Sequence, residues 1–505
     1  MTAPTPVLCG KGNYNLTANL SSHGALREPT RPRGVPNNVG DTMRRSSETL
    51  KSNTRSLLVL AWPAIAEQLL LTMTNYVDTA MIGALSTDAT AAVAINSTPV
   101  FFIVGLLTAV GVGYSVQIAH SLGARQEQLA RSITRQTLLG SLISGTVIML
   151  VTLMLAPWVP KWLGADSIIL GDAQRYLFFY ALGIPFQTAL AVFSAVLRCA
   201  GDTTTPLQLN AGANVLNVIL NFFLIFPSRT VQIGERTLRI WGAGWGAAGA
   251  AGATAFSASL MGFCCILLLF RRSGPVNLEL KASYRPDFAI IRQAVHLGIP
   301  AALERGAICT GQLLITRMVA SLGNVALAAN HVAVTAEAIS YLPATGVSFA
   351  ATTLVGQAYG AGEYPLARQF GRISGWIGLL SGGAAGILLF LCAAPLAAIF
   401  SPDPDVIKLA ADMLRIVAIS EPLFGLSIVL SGVMRGAGNT RLPFLVVLSG
   451  MWGVRVILTP VLLFYAHMEL AGVWVAMIAD LMFRGILCEI QTKRLLSKLE
   501  AVYNS

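Results

Sequence analysis

The sequence predicts an all-α integral membrane protein, with twelve transmembrane helices in two pseudo-twofold-related six-helix lobes around a central cavity. First, 54% of the 505 residues are hydrophobic and only 12% are charged, about half the charged fraction of a soluble domain. Second, apolar runs long enough to cross a bilayer of roughly 30 Å recur from Leu57 to the end of the chain. Third, the second half of the chain repeats landmarks of the first half.

The apolar runs predict the twelve spans in chain order. Helices are expected because the period-two alternation of an outer-membrane barrel is absent. The expected spans are 57–84, 93–120, 132–158, 175–200, 206–226, 246–270, 294–320, 329–357, 372–400, 409–434, 442–466 and 470–491. Prolines in or near several of these spans are expected to kink the helices.

The two halves of the chain share landmarks at one fixed offset. The run Pro63–Glu67 matches Pro300–Glu304, and 300 − 63 gives an offset of 237. The run Val196–Pro206 matches Val433–Pro443 at the same offset. Each half therefore holds six spans, and an even number of spans returns the chain to its starting side, so both halves share one orientation. Two such lobes that can rock around a central site suit a transporter.

The net charge of +11 is explained by membrane topology rather than by nucleic-acid binding. With the N-terminus inside, most of the 35 Lys and Arg residues fall in cytoplasmic segments, as the positive-inside rule requires. We therefore expect a multi-pass protein of the cell (inner or plasma) membrane with both termini cytoplasmic. No secretory leader is evident, and Met43 is an alternative translation start to Met1.

Charge and periodicity also predict the boundaries of the segments. Alternating residues between Pro227 and Gly242 indicate a small external β-hairpin around Gly234. The expected segments are a polar, disordered cytoplasmic tail at 1–55, an N-lobe at 56–270 with the external hairpin at 227–242, a cytoplasmic linker at 271–293, a C-lobe at 294–491 and a cytoplasmic C-terminal tail at 492–505.

Polar side chains inside the spans are the candidate site. Asp78 lies in the first span, where a carboxylate is costly unless it is paired, hydrated or protonated. In the fifth span Asn210, Asn214, Asn217 and Asn221 lie along one helical face. Amides can ligate Na⁺ through oxygen or donate hydrogen bonds to a carboxylate. We assign the deeper pair, Asn217 and Asn221, to the Asp78 site, whereas helix packing explains the outer pair equally well.

Other charges inside the spans are weaker candidates for substrate binding or coupling. Glu67 shares the helical face of Asp78, and Glu304 is its equivalent in the repeat. Asp480 and Arg455 lie in the last two spans, with Arg484 one turn after Asp480, and a buried Arg–Asp ion pair is the simplest expectation. The alternative is that Asp480 or Glu304 contacts a cationic substrate.

Enzymatic function is not expected. The chain has no HExxH motif, no P-loop and no GxSxG motif in a suitable context. No cofactor is expected, and no metal beyond Na⁺ at Asp78, because the histidines show no ligand spacing. A membrane-embedded enzyme is thus only a remote alternative to a transporter.

Four motifs in their order and spacing resemble the multidrug and toxic compound extrusion (MATE) transporters. They are Pro63-x-x-x-Glu67, Val77-Asp-Thr-x-Met-Ile-Gly83, Ala200-Gly-Asp-Thr-x-Thr-Pro206 and Asn217-Val-Ile-Leu-Asn221. The likeness covers residues 55–490. It implies secondary active export of amphipathic, often cationic organic compounds in exchange for H⁺ or Na⁺. The expected partners are small organic cations and the lipid bilayer, not nucleic acid, and the protein is expected to be a monomer.

The resemblance also carries residue roles. The family's principal cation site in the N-lobe matches Asp78, and a sixth-span Thr of the family falls on Thr254. The family pattern Asn-x-x-x-Asp falls on Asn217 and Asn221, so an amide replaces the second acid. With one negative charge at the site, H⁺ coupling is favoured over Na⁺ coupling. The in-span arginines keep a second function open, the flipping or export of lipid-linked oligosaccharides or another anionic lipid-linked substrate.

Overall fold

The computed structural model describes residues 39–233 and 236–504. The predicted hairpin turn at Gly234 and the part of the predicted tail at 1–38 lie outside the described residues. The first half contains α1 Val39–Gly83, α2 Thr87–Gly123, α3 Glu127–Leu155, α4 Val159–Trp162, α5 Ser167–Leu182, α6 Ile184–Cys199, α7 Thr204–Leu224, β1 Pro227–Ile233, β2 Arg236–Ala243 and α8 Gly246–Arg271. The second half contains α9 Phe288–Ala320, α10 Asn324–Glu337, α11 Leu342–Gly360, α12 Tyr364–Leu391, α13 Ala393–Phe400, α14 Pro404–Val417, α15 Glu421–Gly436, α16 Arg441–Gly450, α17 Val456–Pro460 and α18 Glu469–Asn504.

Twelve spans can be traced through these helices. In the described part of the chain, eight helical segments are long and apolar enough to cross a membrane, and three bent pairs of helices make one further span each. The twelfth is α9, whose 33 residues are long enough although Arg292, Glu304, Arg305 and Arg317 make it less apolar. The eleventh span runs through α16 and α17, which are joined and followed by π-helical turns at Met451–Arg455 and Val461–Tyr465.

Three of the predicted spans are broken helices rather than straight ones. The bends are 54° between α5 and α6, 44° between α10 and α11, and 63° between α14 and α15. Each second helix begins with a proline in its first turn, at Pro185, Pro343 and Pro422. Proline lacks an N–H and clashes with the preceding turn, so it starts a new helix where a continuous one would be expected.

The internal repeat is visible in the backbone. Gly201 and Gly438, which are 237 residues apart, both adopt positive φ, at 90° and 80°. Arg125 and Gly362, at the same spacing, are likewise left-handed, with φ values of 57° and 74°. These are the turns after α6 and α15 and after α2 and α11, so corresponding helices of the two halves end in the same way.

The first helix packs against both halves of the molecule. Leu57 and Ala61 belong to a buried cluster otherwise built from α11, α12, α15, α16 and α18. Further along α1, Ile82 packs with Ala89 of α2 and Ala250 of α8. Helix α1 therefore ties the two lobes together, and the residues that follow its midpoint enter the N-lobe.

A two-stranded hairpin follows α7, where the sequence predicts one. Strands β1 and β2 are antiparallel, with Arg229 opposite Ile240 and an irregularity next to Pro227. The Arg229 guanidinium lies over the rings of Phe222 and Phe226, at 4.2 and 4.5 Å from their centroids. These cation–π contacts anchor the base of the hairpin to the end of α7.

Candidate functional site

Asp78 lies at the junction of α1, α7 and α8. Asn221 of α7 donates a hydrogen bond from Nδ2 to Asp78 Oδ1 at 2.5 Å. Thr254 of α8 donates from its hydroxyl to Asp78 Oδ2 at 3.4 Å. Asn221 is fully buried and Asn217 is 2% exposed. In the described part of the chain, no Lys or Arg forms an ion pair with Asp78, so the contacts to this carboxylate come from uncharged groups.

The amide of Asn217 lies between Asp78 and Thr254, and its hydrogen bonds there depend on which way its nitrogen and oxygen are assigned; the assignment with nitrogen towards Asp78 satisfies both neighbours. With its nitrogen towards Asp78, it donates to Asp78 Oδ1 at 2.8 Å and its oxygen accepts from Thr254 Oγ1 at 3.0 Å. The single Thr254 hydroxyl proton then goes to Asn217 in place of the longer bond to Asp78. With the amide reversed, the nitrogen donates to Thr254 Oγ1 at 3.0 Å and the oxygen accepts from Asn221 Nδ2 at 3.1 Å. In the reversed orientation an amide oxygen faces a carboxyl oxygen. That contact is favourable only when Asp78 is protonated or when a cation lies between the two oxygens.

Three of the four asparagines of α7 contact a carboxylate, and they divide between two separate ones. Asn210 donates to Glu67 Oε1 at 2.9 Å, whereas Asn217 and Asn221 lie at Asp78. Asn214, between the two groups, has a buried Nδ2 without a hydrogen-bond partner in the described part of the chain. The outer amide Asn210 is therefore explained by its contact with a buried ion pair.

A corresponding ion pair occurs in the second half. Arg198 contacts both carboxylate oxygens of Glu67 at 2.8 and 2.7 Å. Arg435 contacts both oxygens of Glu304 at 2.7 and 2.9 Å. All four residues obey the 237-residue offset, since 67 + 237 is 304 and 198 + 237 is 435. Glu67 and Glu304 are thus each paired with an arginine. A structural role therefore explains both acids better than a role in ion coupling.

The expected buried Arg–Asp pair forms between Arg484 and Asp480, and Arg455 is not part of it. Asp480 is fully buried and is bound by Arg484, one turn later on α18, through Nε at 2.5 Å and through a second nitrogen. Arg455 instead donates to Met477 Sδ at 3.0 Å. Its Nε has no hydrogen-bond partner in the described residues. The i, i+4 spacing on one helix gives Arg484 the shorter reach to Asp480.

Two buried carboxylates in the second half were missed by the sequence analysis. Glu337 is the last residue of α10 and Glu421 is the first residue of α15, so both lie at breaks in spans. They are 4% and 1% exposed and are close enough to interact electrostatically. Ser340 donates to Glu421 Oε2 at 2.8 Å, while Glu421 Oε1 has no partner among the described residues. Their signal was the one that identified Asp78, an acid within an apolar span.

No metal centre is evident in the part of the chain that the structure describes. No group of three or more His, Cys, Asp and Glu side chains there is arranged to hold a metal ion. Arg455 lies close enough to Glu337 to interact with it electrostatically. The second half therefore combines two acids and a buried arginine, whereas the Asp78 site has one acid and uncharged donors.

Twelve spans in two repeated halves, with carboxylates buried at helix junctions, define a multi-pass membrane transporter rather than an enzyme. The MatE family model matches residues 63–223 and again residues 300–461, once in each half. The chain belongs to the MATE family of multidrug transporters.

Curated relatives match nearly the whole chain. The "Probable multidrug resistance protein NorM" of Thermotoga maritima is 29% identical over 435 residues, which cover 86% of this chain and 90% of that protein. The "Uncharacterized transporter YisQ" of Bacillus subtilis is 25% identical over 435 residues, covering 86% of this chain and 93% of that protein. Multidrug efflux is therefore the coarse function that the relatives support.

Solved structures show the same two-lobed fold. A crystal structure of MATE in complex with MaD3S matches with a TM-score of 0.81 at 21% identity, covering 89% of this chain and 97% of that one. An outward-facing multidrug resistance MATE transporter matches with a TM-score of 0.82 at 21% identity, over 88% and 96% of the two chains. A Pyrococcus furiosus transporter of the MOP superfamily, described as having a binding pocket of reverse polarity, matches with a TM-score of 0.82 at 21% identity, over 89% and 97%.

Proposed function

We propose that this transporter is an antiporter that exports amphipathic organic cations in exchange for an inward-moving cation by alternating access. The observation that carries the proposal is the environment of Asp78. A half-buried carboxylate held by Asn221, Asn217 and Thr254 has hydrogen-bond donors but no fixed positive charge. Such a group can release and take up a cation, whereas a carboxylate paired with arginine, such as Glu67, is already neutralised.

We propose that the orientation of the Asn217 amide changes with the charge of Asp78. When Asp78 is ionised, the amide nitrogen faces it and donates. When Asp78 binds a proton, the carboxyl group becomes a donor and the amide turns its oxygen towards it. The turn also reverses the bond to Thr254 and allows the bond from Asn221. Cation binding at α1 is thereby transmitted to α7 and α8, the helices that must rearrange for drug affinity to fall.

The composition of the site favours H⁺ over Na⁺ as the coupling ion. A bare Na⁺ would be compensated by one carboxylate and the neutral oxygens of Asn217, Asn221 and Thr254. A proton needs only the carboxylate and an acceptor, which Asn217 supplies. A membrane potential of 100 mV contributes about 2.3 kcal/mol per charge moved, enough for a roughly 50-fold gradient of exported drug.

A second cation-binding group lies in the C-lobe. Glu421 Oε1 is buried without a donor in the described part of the chain, and Glu337 interacts with Glu421. A buried carboxylate oxygen that lacks a hydrogen-bond donor is unfavourable when the group is ionised. We infer that this pair holds at least one proton and that its charge changes as α10 and α15 move at their breaks.

The orientation in the membrane is part of the proposal. We propose that both termini lie in the cytoplasm and that the protein is a monomer in the plasma membrane. The basic residues between α8 and α9 and before the first span support this orientation. We also propose that the chain divides into an N-lobe at 56–270, a linker at 271–293, a C-lobe at 294–491 and terminal tails at 1–55 and 492–505. The ends of α2, α6, α11 and α15 then lie on the cytoplasmic side.

A second function is favoured by one specific observation. Arg455 is 7% exposed, and its Nε has no partner in the described residues. A buried guanidinium with a free donor would suit an anionic head group, as in the export of a lipid-linked oligosaccharide. The reverse pocket polarity described for the Pyrococcus furiosus transporter of the same fold is consistent with this second function.

The decisive experiment is uptake of ethidium into inside-out vesicles with an imposed pH or Na⁺ gradient. We expect a pH gradient to drive uptake by the wild type, and Asp78→Asn to abolish it. Asp88→Asn is the matched control, because Asp88 is an exposed acid in the first turn of α2. Glu421→Gln is expected to retain binding but to lose most gradient-driven uptake.

Three outcomes would change the proposal. A strict need for Na⁺ at constant pH would reverse the choice of ion. Undiminished uptake by Asp78→Asn would remove the site. Uptake of anionic lipid-linked substrates but of no organic cation would establish the second function instead.

A further inference from the structure

The ends of α2 and α11 carry a matched pair of hydrogen bonds between the two halves. His120 of α2 bonds through Nε2 to the carbonyl oxygen of Gly436, at the end of α15, at 2.7 Å. Gln357 of α11 donates from Nε2 to the carbonyl oxygen of Cys199, at the end of α6, at 2.8 Å. A carbonyl oxygen can only accept, so the His120 ring carries its proton on Nε2.

The two hydrogen bonds correspond to each other in the internal repeat. Adding 237 to 120 gives 357, and adding 237 to 199 gives 436. The side chain of each half thus reaches the same backbone carbonyl in the opposite half. Such reciprocity is what a twofold-symmetric contact requires.

The two accepting carbonyls are available because of where the helices end. The last four carbonyls of an α-helix have no partner within the helix. In the turns after α6 and α15, the backbone N–H groups bond to other carbonyls, such as those of Val196 and Val433. Cys199 and Gly436 therefore offer free acceptors that the facing lobe, or water, must satisfy.

Backbone contact holds the two donors in place. A Cβ atom at Gly360 would lie 2.6 Å from His120 Cα, and one at Gly123 would lie 2.9 Å from Gln357 Cα. These two glycines are again 237 residues apart. Helices α2 and α11 therefore cross in direct contact at this level, as small residues allow in membranes. The Tyr359 ring packs on His120, with centroids 4.8 Å apart.

A cavity lies at the edge of this contact. A cavity of about 290 Å³ is lined by Gln117, His120, Gln126, Gln293 and Tyr359, with Gly360 at its wall. When the lobes separate here, water can replace the interlobe bonds at the freed carbonyls. The contact can therefore open and close without leaving buried polar groups unsatisfied.

We propose that His120 and Gln357 form a two-bond lock that holds this end of the interface between the lobes closed and thereby sets the balance between the two transport states. The lock rests on the alternating access of the proposed function, but not on the identity of the drug or of the ion. Both are positioning residues, because neither contacts Asp78. Rocking that opens this end must break both bonds together, since the repeat axis relates them.

The chain contains its own probe of opening. Cys199 lies at the lock and is 4% exposed, whereas Cys265 is fully buried in the core of the first half. Opening of this end exposes Cys199 but leaves Cys265 protected. The experiment measures the rate of alkylation of each cysteine by N-ethylmaleimide, resolved by mass spectrometry, in the full chain reconstituted in lipid nanodiscs.

His120→Ala and Gln357→Ala are each expected to alkylate Cys199 about five-fold faster, the factor that one neutral hydrogen bond is worth. His120→Ala is the more informative variant, because His120 bonds to Gly436 and not to Cys199. His120→Gln is the matched control. It keeps an N–H donor and makes the two bonds alike, so its rate should equal that of the wild type.

The lock is overturned if both alanine variants alkylate Cys199 at the wild-type rate, or if His120→Gln is as fast as His120→Ala. If an alanine variant also exposes Cys265, its fold is disturbed and Gln357→Asn replaces it in the test. The shorter amide of Asn disrupts the bond to the Cys199 carbonyl with less loss of packing. A rise at Cys199 alone then supports the lock, and no rise overturns it. The readout needs neither substrate nor gradient, so a failure of the proposed antiport would leave it unaffected.

Discussion

The two lobes share one architecture but place their buried acids at different positions. Asp78, Asn217 and Asn221 of the first half correspond, at the 237-residue offset, to Ile315, Val454 and Leu458 of the second. Ile315 is buried in an apolar cluster. At the position of Asp78, the C-lobe therefore has a buried apolar side chain.

At the positions of the two C-lobe acids, the N-lobe has apolar residues. Glu337 and Glu421 correspond to Val100 and Ile184 of the first half. Ile184 is fully buried in a hydrophobic cluster against which Val100 packs. Neither lobe carries both sets of acids, so the two lobes differ in where they bury carboxylates.

Other features are preserved in both lobes. The Glu67–Arg198 and Glu304–Arg435 pairs correspond, as do the bonds of His120 and Gln357 to helix ends. The preserved features hold helices together or hold the lobes together. The divergent features carry charge that is not fixed by a partner. The two lobes thus keep their interhelical and interlobe contacts in pairs, whereas the buried acids without an arginine partner differ between them.

The largest expected effect comes from removing one arginine of the corresponding ion pairs. Arg198→Ala leaves the Glu67 carboxylate, whose side chain is 3% exposed, without its positive charge, which should cost about 3–5 kcal/mol of stability. Arg435→Ala should cost less, about 1–3 kcal/mol, because the Glu304 side chain is 12% exposed and water can reach it. Thermal unfolding of the detergent-solubilised variants measures the difference in apparent Tm.

The control for this comparison removes both charges of the first pair. Replacing Glu67 and Arg198 together by leucine should restore most of the lost Tm, because no uncompensated charge remains. Equal losses for Arg198→Ala and Arg435→Ala would show that burial does not distinguish the two pairs.

An intermediate effect is expected from adding the acid that the N-lobe site lacks. Asn221→Asp places a second carboxylate next to Asp78, where Asn221 now donates at 2.5 Å. Two adjacent carboxylates favour a bound cation, so the apparent affinity for Na⁺ should rise at least about tenfold, which corresponds to 1.4 kcal/mol. Transport into vesicles, measured against Na⁺ concentration at fixed pH, provides the test.

Asn214→Asp is the matched control for this change. Asn214 lies on the same helical face, but no hydrogen bond joins it to Asp78 in the described residues. Its substitution should leave the Na⁺ dependence unchanged. If both variants gain the same Na⁺ dependence, the effect comes from added charge in α7 rather than from the Asp78 site.

The sequence predicts the fold well because hydropathy and the repeat are local properties that survive in the structure. Twelve spans and two related halves follow from apolar runs and from one offset. The breaks before Pro185, Pro343 and Pro422 were within reach of the same reasoning, since prolines were expected to bend spans. How sharply each span bends depends on packing against neighbouring helices, which a single sequence does not contain.

The site was predicted less completely. Side-chain spacing on one helix placed Asn217 and Asn221 on one face, and the family likeness connected them to Asp78. Spacing within a helix does not reveal partners on other helices, so the Arg198 partner of Glu67 was not foreseen. Arg484 was closer to Asp480 in the chain than Arg455 was, and that local geometry decided the pair. Glu337 and Glu421 carry the same sequence signal as Asp78, because each is an acid within a predicted apolar span.

The smallest expected effect concerns the turns that follow α6 and α15. Asp202 Oδ1 accepts from the backbone N–H of Thr205 at 3.0 Å, and Asn439 Oδ1 accepts from that of Leu442 at 3.1 Å. The two turns correspond at the 237-residue offset, but the first is charged and the second is neutral. Burial raises the pKa of Asp202, yet bonds from Thr205, Arg272 and Thr204 outweigh it and lower the pKa to about 2.

Because this pKa lies below the ordinary value for Asp, ionised Asp202 stabilises the fold at pH values above about 4, and the contribution is lost as the pH falls towards 2. Asp202→Asn makes the first turn resemble the second and removes this dependence. Its apparent Tm should lie slightly below that of the wild type at pH 7 and should converge on it as the pH approaches 2. Asn439→Asp, the reciprocal change, has no arginine corresponding to Arg272 in a described ion pair, so it should gain less pH dependence than Asp202→Asn loses. Equal and opposite slopes of Tm against pH would show that the turn geometry alone, without Arg272, sets the pKa.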